Sequence, residues 1–398
     1  WRAHLPGPDI VSRRSLRVRR ENLDDRAEGT VTMMIRHPRR LPLLALGMLA
    51  LLTGLWAGVA RLGWDVPLPR SGFSSLHGPL MVSGFLGTLI SLERAVALGR
   101  SWAYAAPLLT GLGALVLIAG GPLVVAQLLL LSGSAGLAAI FAAIIRRHPA
   151  LYTFTMGGGA IVWAVGNLLW VLGWPVFLVV FWWAAFLVVT IAGERLELAR
   201  LQQVTRGAQT AFLLFLGVLG AGLLLLGWWF DGAVRLFGAG LAALALWLGL
   251  NDIARRTVHQ TGLTRFIAIC LLSGYAWLGV SGLAAMVYGG VPVGPQYDAM
   301  LHAFFLGFVF AMIFAHAPII FPAVLGARMT YRPVFYAHVL LLQATLLVRL
   351  VGDAAGWGAG RQIGGLLNAV TLVLFLANTV TALGSLPDRP VVTSRAGS

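Results

Sequence analysis

Twelve stretches of roughly twenty consecutive, mostly apolar residues run through this 398-residue chain, and they limit its fold more than anything else in it. A helix rises 1.5 Å per residue, so about twenty residues cross the ~30 Å hydrocarbon core of a bilayer. Inside that core every backbone N–H and C=O needs a partner within the protein, which leaves helices or a closed barrel. Barrel strands alternate polar and apolar residues; these runs do not. The predicted spans lie near 41–60, 74–93, 102–120, 122–145, 152–172, 174–193, 209–229, 233–250, 265–288, 298–325, 333–351 and 363–384. The fold class is therefore all-α: a polytopic membrane protein with about 12 transmembrane helices.

Charge composition agrees. Only 11% of residues are charged, against about 25% in soluble domains. The formal net charge of +15 does not mark a nucleic-acid-binding face, because the basic residues follow the loops instead of forming a patch. All of them are arginine, which codon bias in a GC-rich genome explains. One set of loops holds Arg36, Arg39 and Arg40; Arg146 and Arg147; Arg195, Arg200 and Arg206; Arg255, Arg256 and Arg265; and Arg328 and Arg332. The opposite set holds Arg61, Arg70, Arg235, Arg349 and Arg361. The positive-inside bias then predicts both termini cytoplasmic, for a chain read as a bacterial inner (cytoplasmic) membrane protein.

Residues 1–32 are polar and arginine-rich, and read as a disordered tail or as upstream-translated sequence ahead of Met33 or Met34. Residues 33–386 form the membrane domain, and 387–398 a cytoplasmic C-terminal tail. Forty-nine glycines, many within apolar runs, suit close helix packing in lipid. Cys270 is the single cysteine, which excludes a disulfide framework or a thiolate cluster.

His77 and His302 each sit a few residues inside the start of an apolar run, in SLHGPLMVSGFLGTLISLERA and MLHAFFLGFVFAMIFAHAPIIFP. These are the second and tenth spans, which run in the same direction, so the two imidazoles are expected at one depth, near the outer face. A matched pair of intramembrane histidines is what axial ligation of a haem iron requires. The plain alternative is that each ring hydrogen-bonds a neighbouring helix. A copper or zinc site needs a third matched ligand, and none is visible.

His316 lies fourteen residues after His302, a spacing that returns to nearly the same face of a regular helix. Pro318 and Pro322 remove two backbone donors beside it and predict a broken or kinked helix. His338, early in the eleventh span, is expected at the level of His316. Metal ligation, a proton relay and a packed, hydrogen-bonded histidine are all open there. Glu93–Arg94 and Glu194–Arg195 close the second and sixth spans as topology anchors or as a proton or substrate path. Their surroundings, ISLERAVALGR and IAGERLELARL, echo each other about 100 residues apart. Three pseudo-repeated four-helix units, or chance likeness of apolar helices ending in Glu-Arg, account for that echo. Asn167, Asn368 and Asn378 are expected to hydrogen-bond between helices. The sequence has no phosphate-binding loop, dinucleotide fingerprint, zinc-protease helix or covalent haem-attachment motif, so any haem is held non-covalently.

Twelve spans with histidines near the outer ends of the second and tenth resemble subunit I of haem–copper oxidases. LHGPLMVSGFLGTLIS and LHAFFLGFVFAMIFAHAPIIFPAVLG resemble, within that superfamily, the NnrS family. The resemblance implies haem b between His77 and His302, in electron transfer or in nitric-oxide and denitrification-related handling. It also implies a redox partner protein or quinone. Two departures bear on oxidase chemistry: spans six and seven contain no histidine, and Phe304 stands where the oxidases carry a second haem ligand. The oxidase copper site is thus expected to be missing in that form. The competing class is a proton-coupled small-solute transporter or permease using the tenth span with Glu93, Glu194 and His316.

Overall fold

The structure is a computed structural model that describes residues 37–199 and 204–384. The expected tails at 1–32 and 387–398, and Arg200, lie outside the described residues. Twelve helices are long and apolar enough to cross a membrane: span 1 Pro38–Arg61, span 2 Phe73–Leu98, span 3 Ser101–Ala119, span 4 Leu123–Arg147, span 5 Leu151–Val171 and span 6 Val176–Ala199, followed by span 7 Arg206–Leu225, span 8 Phe230–Asn251, span 9 Gly262–Tyr288, span 10 Pro295–Leu325, span 11 Phe335–Ala354 and span 12 Gly358–Ala382. The chain is a multi-pass helical membrane protein. A two-residue antiparallel ladder, Arg328–Met329 with Leu383–Gly384, ties the segment after span 10 to the end of span 12.

Spans 2, 6 and 10 are the centre of the molecule. Burial reaches 67%, 83% and 72% of their apolar stretches, against 22–56% for the other nine. Span 6 shows why: VFLVVFWWAAFLVVTIA carries no polar stripe, so every face needs an apolar neighbour. Span 10 packs on spans 9 and 11 and touches spans 2 and 6, while spans 3–4, 4–5, 7–8, 8–9 and 11–12 pair along the outside.

Polar side chains bind this centre together. Asn167 on span 5 accepts from Ser83 Oγ of span 2 (3.1 Å) and Trp183 Nε1 of span 6 (3.0 Å), and donates to the Leu130 carbonyl of span 4 (3.3 Å). Trp163 Nε1 donates to the same Ser83 hydroxyl at 3.1 Å. Asn368 likewise bonds Thr345, and Asn378 bonds His338. The three intramembrane asparagines therefore make interhelical hydrogen bonds, as expected of an amide in hydrocarbon.

Span 10 departs from α geometry in an unexpected place. Ala311–Leu325 is a continuous α-helix that carries Pro318 and Pro322 inside it. The irregular stretch lies upstream, where Ala303–Phe310 is π-helical. Span 2 has a matching π-helical stretch at Leu80–Leu86. Such i→i+5 turns are rare and concentrate at functional positions. Here each one follows its histidine within three residues.

Candidate functional site

The π-helical turns and the glycines of span 1 put two imidazoles beside one cavity. His77 Nδ1 lies 2.8 Å from the Gly54 carbonyl oxygen. A carbonyl can only accept, so Nδ1 carries the hydrogen and donates it. Four residues on, Gly58 makes the room: a Cβ there would stand 2.8 Å from Nδ1 and Cε1 of His77. On span 10, His302 Nδ1 donates to the Asp298 carbonyl at 2.9 Å and lies 3.2 Å from Asp298 Oδ1. Both rings thus have Nδ1 tied to backbone, which leaves Nε2 as the nitrogen with a free lone pair. A metal-binding histidine is held in the same way, by a hydrogen bond from its other ring nitrogen.

The ring centroids are 6.2 Å apart and the planes are inclined by 20°. That separation lies within the ~4.5–7 Å between centroids of offset-stacked rings. Two metal–nitrogen bonds of about 2 Å, plus roughly 1 Å from each ring centre to its nitrogen, also sum to about 6 Å. The spacing suits an offset ring pair and equally one metal atom between two ring nitrogens.

Both histidines line a cavity of about 410 Å³ enclosed by spans 1, 2, 6, 10, 11 and 12. Its deep wall is apolar, with Val82, Val180, Leu306, Phe310 and Leu372, whereas Arg61, Asp298, Arg349 and Arg361 stand at the histidine end. Arg349 holds Asp298 through two hydrogen bonds of 2.8 Å. Beside them, Asp353 lies against the Asp298 carboxyl and pairs with Arg361 at 3.9 Å, while the Nε of Arg361 is buried without a hydrogen bond. The arginine bias treated Arg349 and Arg361 as loop residues. They lie inside spans 11 and 12 instead, with Arg349 only 6% exposed.

The other candidates occupy different settings. His338 is buried in an aromatic nest of Phe266, Phe314, Phe335 and Phe375, with its Nδ1 3.2 Å from the Asn378 amide nitrogen. There Nδ1 accepts, the opposite tautomer to His77. His316 Nδ1 donates to the Met312 carbonyl at 2.6 Å, and the side chain lies within electrostatic reach of Glu93, Arg94 and Arg195. The π-helical stretch between His302 and His316 breaks the 3.6-residue phase on which their shared face was expected. Among the described residues no hydrogen bond or ring contact joins His316 to His338, and no group of three or more His, Cys, Asp or Glu is placed to hold an ion.

At the end of the bundle opposite the two histidines, Arg94 of span 2 pairs with Glu194 of span 6 and lies 3.5 Å from Glu93. Its guanidinium also sits 5.8 Å above the Phe141 ring. Arg195 grips Asp252 with bonds of 2.6 and 2.9 Å, and Tyr275 donates to the same carboxylate at 2.8 Å. The charges expected to anchor topology thus join spans 2, 6, 8 and 9 to one another. Sequence reasoning passed over Asp252 and Tyr275. It also passed over Asp298, although its position four residues before His302 was a readable signal.

Fold and site together define a polytopic helical membrane protein in which two central helices present histidines to one cavity. The chain belongs to the family described as a domain of unknown function (DUF8744), which matches residues 40–383. No curated protein and no solved structure matches the chain.

Proposed function

We propose that this protein holds a b-type haem between His77 and His302 and passes electrons across part of the bacterial cytoplasmic membrane. In this reading both termini are cytoplasmic, the histidine end faces outward, and the protein is of the NnrS and haem–copper oxidase-like kind. Spans 2, 6 and 10 are then the inner helices of three four-helix units. The observation that carries the proposal is the ring pair, 6.2 Å apart with each Nδ1 bonded to a backbone carbonyl.

The residues fit the group. Two imidazoles alone make no closed zinc- or copper-type site, but they suit a metal that brings its other donors with it. A cavity of about 410 Å³ falls in the range of cofactor pockets, ~300–1,000 Å³. The apolar wall suits a macrocycle, and Arg61 and Arg361 at the polar end suit its two carboxylates. A bound haem supplies one-electron chemistry at iron. His77 and His302 would hold it, with the Gly54 and Asp298 carbonyls orienting the two rings and the apolar wall excluding water. A haem held by both His77 and His302 would supply electron transfer in preference to ligand chemistry, including that of nitric oxide. The electron donor or acceptor is a membrane quinone or a redox protein. Detergent-purified protein is expected to carry about one non-covalent haem per chain. His77→Ala and His302→Ala should each lose it; retention by both variants would overturn the assignment.

A further inference from the structure

The two rings differ in what backs them. His77 Nδ1 has only the Gly54 carbonyl. His302 Nδ1 has the Asp298 carbonyl at 2.9 Å and a carboxylate oxygen of the same residue at 3.2 Å. That oxygen, Oδ1, also accepts from Arg349 Nη2 at 2.8 Å, while Oδ2 accepts from Arg349 Nε at 2.8 Å. One carboxylate oxygen is therefore shared between a guanidinium and an imidazole. All three side chains line the cavity; Arg349 is buried, and the Asp298 and His302 side chains are 20% and 17% exposed, so water screens part of this charge.

We propose that Asp298 is a positioning residue that makes His302 the more electron-donating of the two rings, and that Arg349 sets how much of the Asp298 charge His302 feels. The proposal rests on the haem reading above. A carboxylate behind a metal-bound imidazole raises the basicity of the ligand and favours the oxidised metal. A guanidinium that occupies both oxygens in a two-point fork draws that charge away. Arg349 and His302 thus oppose each other through one atom, and changes at the two ends of the chain of contacts should act in opposite directions.

The test is a redox titration of detergent-purified holoprotein followed by its haem absorbance. Asp298→Asn keeps the shape and removes the charge, and is expected to shift the equilibrium about tenfold toward the reduced form, a rise of roughly 59 mV for one electron. Arg349→Gln is expected to shift it the other way. Arg349→Lys is the deciding arm, since it keeps the charge but loses the fork. It is expected to move in the direction of Arg349→Gln by a smaller amount, whereas simple through-space charge predicts no movement. The proposal is overturned if Asp298→Asn leaves the potential unchanged, if both charge-removing variants shift it in the same direction, or if Arg349→Lys matches the unaltered protein. Should Asp298→Asn fail to accumulate, the two Arg349 variants decide alone. An unaltered protein with no haem spectrum overturns the ligand assignment itself, an outcome distinct from an intact spectrum with an unmoved potential.

Discussion

The two ends of spans 2, 6 and 10 carry similar numbers of ionisable groups and use them in opposite ways. At the glutamate end the charges pair directly across helices, Arg94 with Glu194, and Arg195 with Asp252 and Tyr275, with Arg94 Nε left unbonded. At the histidine end they converge on an open space of about 410 Å³, with no hydrogen bond at Arg361 Nε. Buried polar groups are normally paired. Unbonded guanidinium nitrogens occur at both ends, Arg94 Nε at one and Arg361 Nε at the other, and at the histidine end the charged groups also line a cavity. The Glu93–Arg94 and Glu194–Arg195 pairs, expected as topology anchors or as a proton or substrate path, make cross-helix bonds that suit anchors.

The comparison breaks most sharply at the ligands. Removing either His77 or His302 is expected to abolish haem content and leave the helical fold intact, as measured by haem content and circular dichroism on the same sample. Arg195→Ala should do the reverse. It strands the Asp252 carboxylate, 3% exposed, and breaking such a pair costs about 3–5 kcal/mol, seen as a lower unfolding midpoint in detergent with the haem spectrum unchanged in the folded fraction. A smaller effect is expected from Gly58→Ala, whose Cβ would meet the His77 ring at 2.8 Å. Overpacking of this kind costs about 1–3 kcal/mol and should appear as reduced haem occupancy, whereas Gly217→Ala, with nothing within 4 Å of its added Cβ, should be silent. The weakest change is Glu93→Gln. Its contact with Arg94 is 3.5 Å long and 29% of its side chain is exposed, so the unfolding midpoint should move by no more than about 1 kcal/mol equivalent.

Much of the architecture is legible in the sequence because the bilayer demands one answer from a long apolar run. Span 2 was expected near 74–93 and runs Phe73–Leu98; span 10 was expected near 298–325 and runs Pro295–Leu325. Each overran where a helix continues past its apolar part, and span 2 stops where Gly99 turns left-handed at φ 67°. That His77 and His302 share one depth followed from their places in two spans of the same parity, but that the two spans are neighbours did not. The surroundings of the rings did not follow. Gly54 and Gly58 look like ordinary small packing residues until His77 is seen resting on them. Arg349 and Arg361 look like loop charges until the ends of spans 11 and 12 are known. The prolines of span 10 drew attention away from its π-helical turn, which hydropathy cannot show because the change lies in backbone hydrogen bonding alone.

Everything proposed for the cavity depends on one metal lying between two nearly parallel imidazoles. Electron paramagnetic resonance of the oxidised, purified protein reads that arrangement directly. The account predicts a low-spin ferric signal of the rhombic type given by two near-parallel imidazole planes, lost when either histidine is replaced by alanine. A high-spin signal, or a protein that carries no iron after purification, would contradict it.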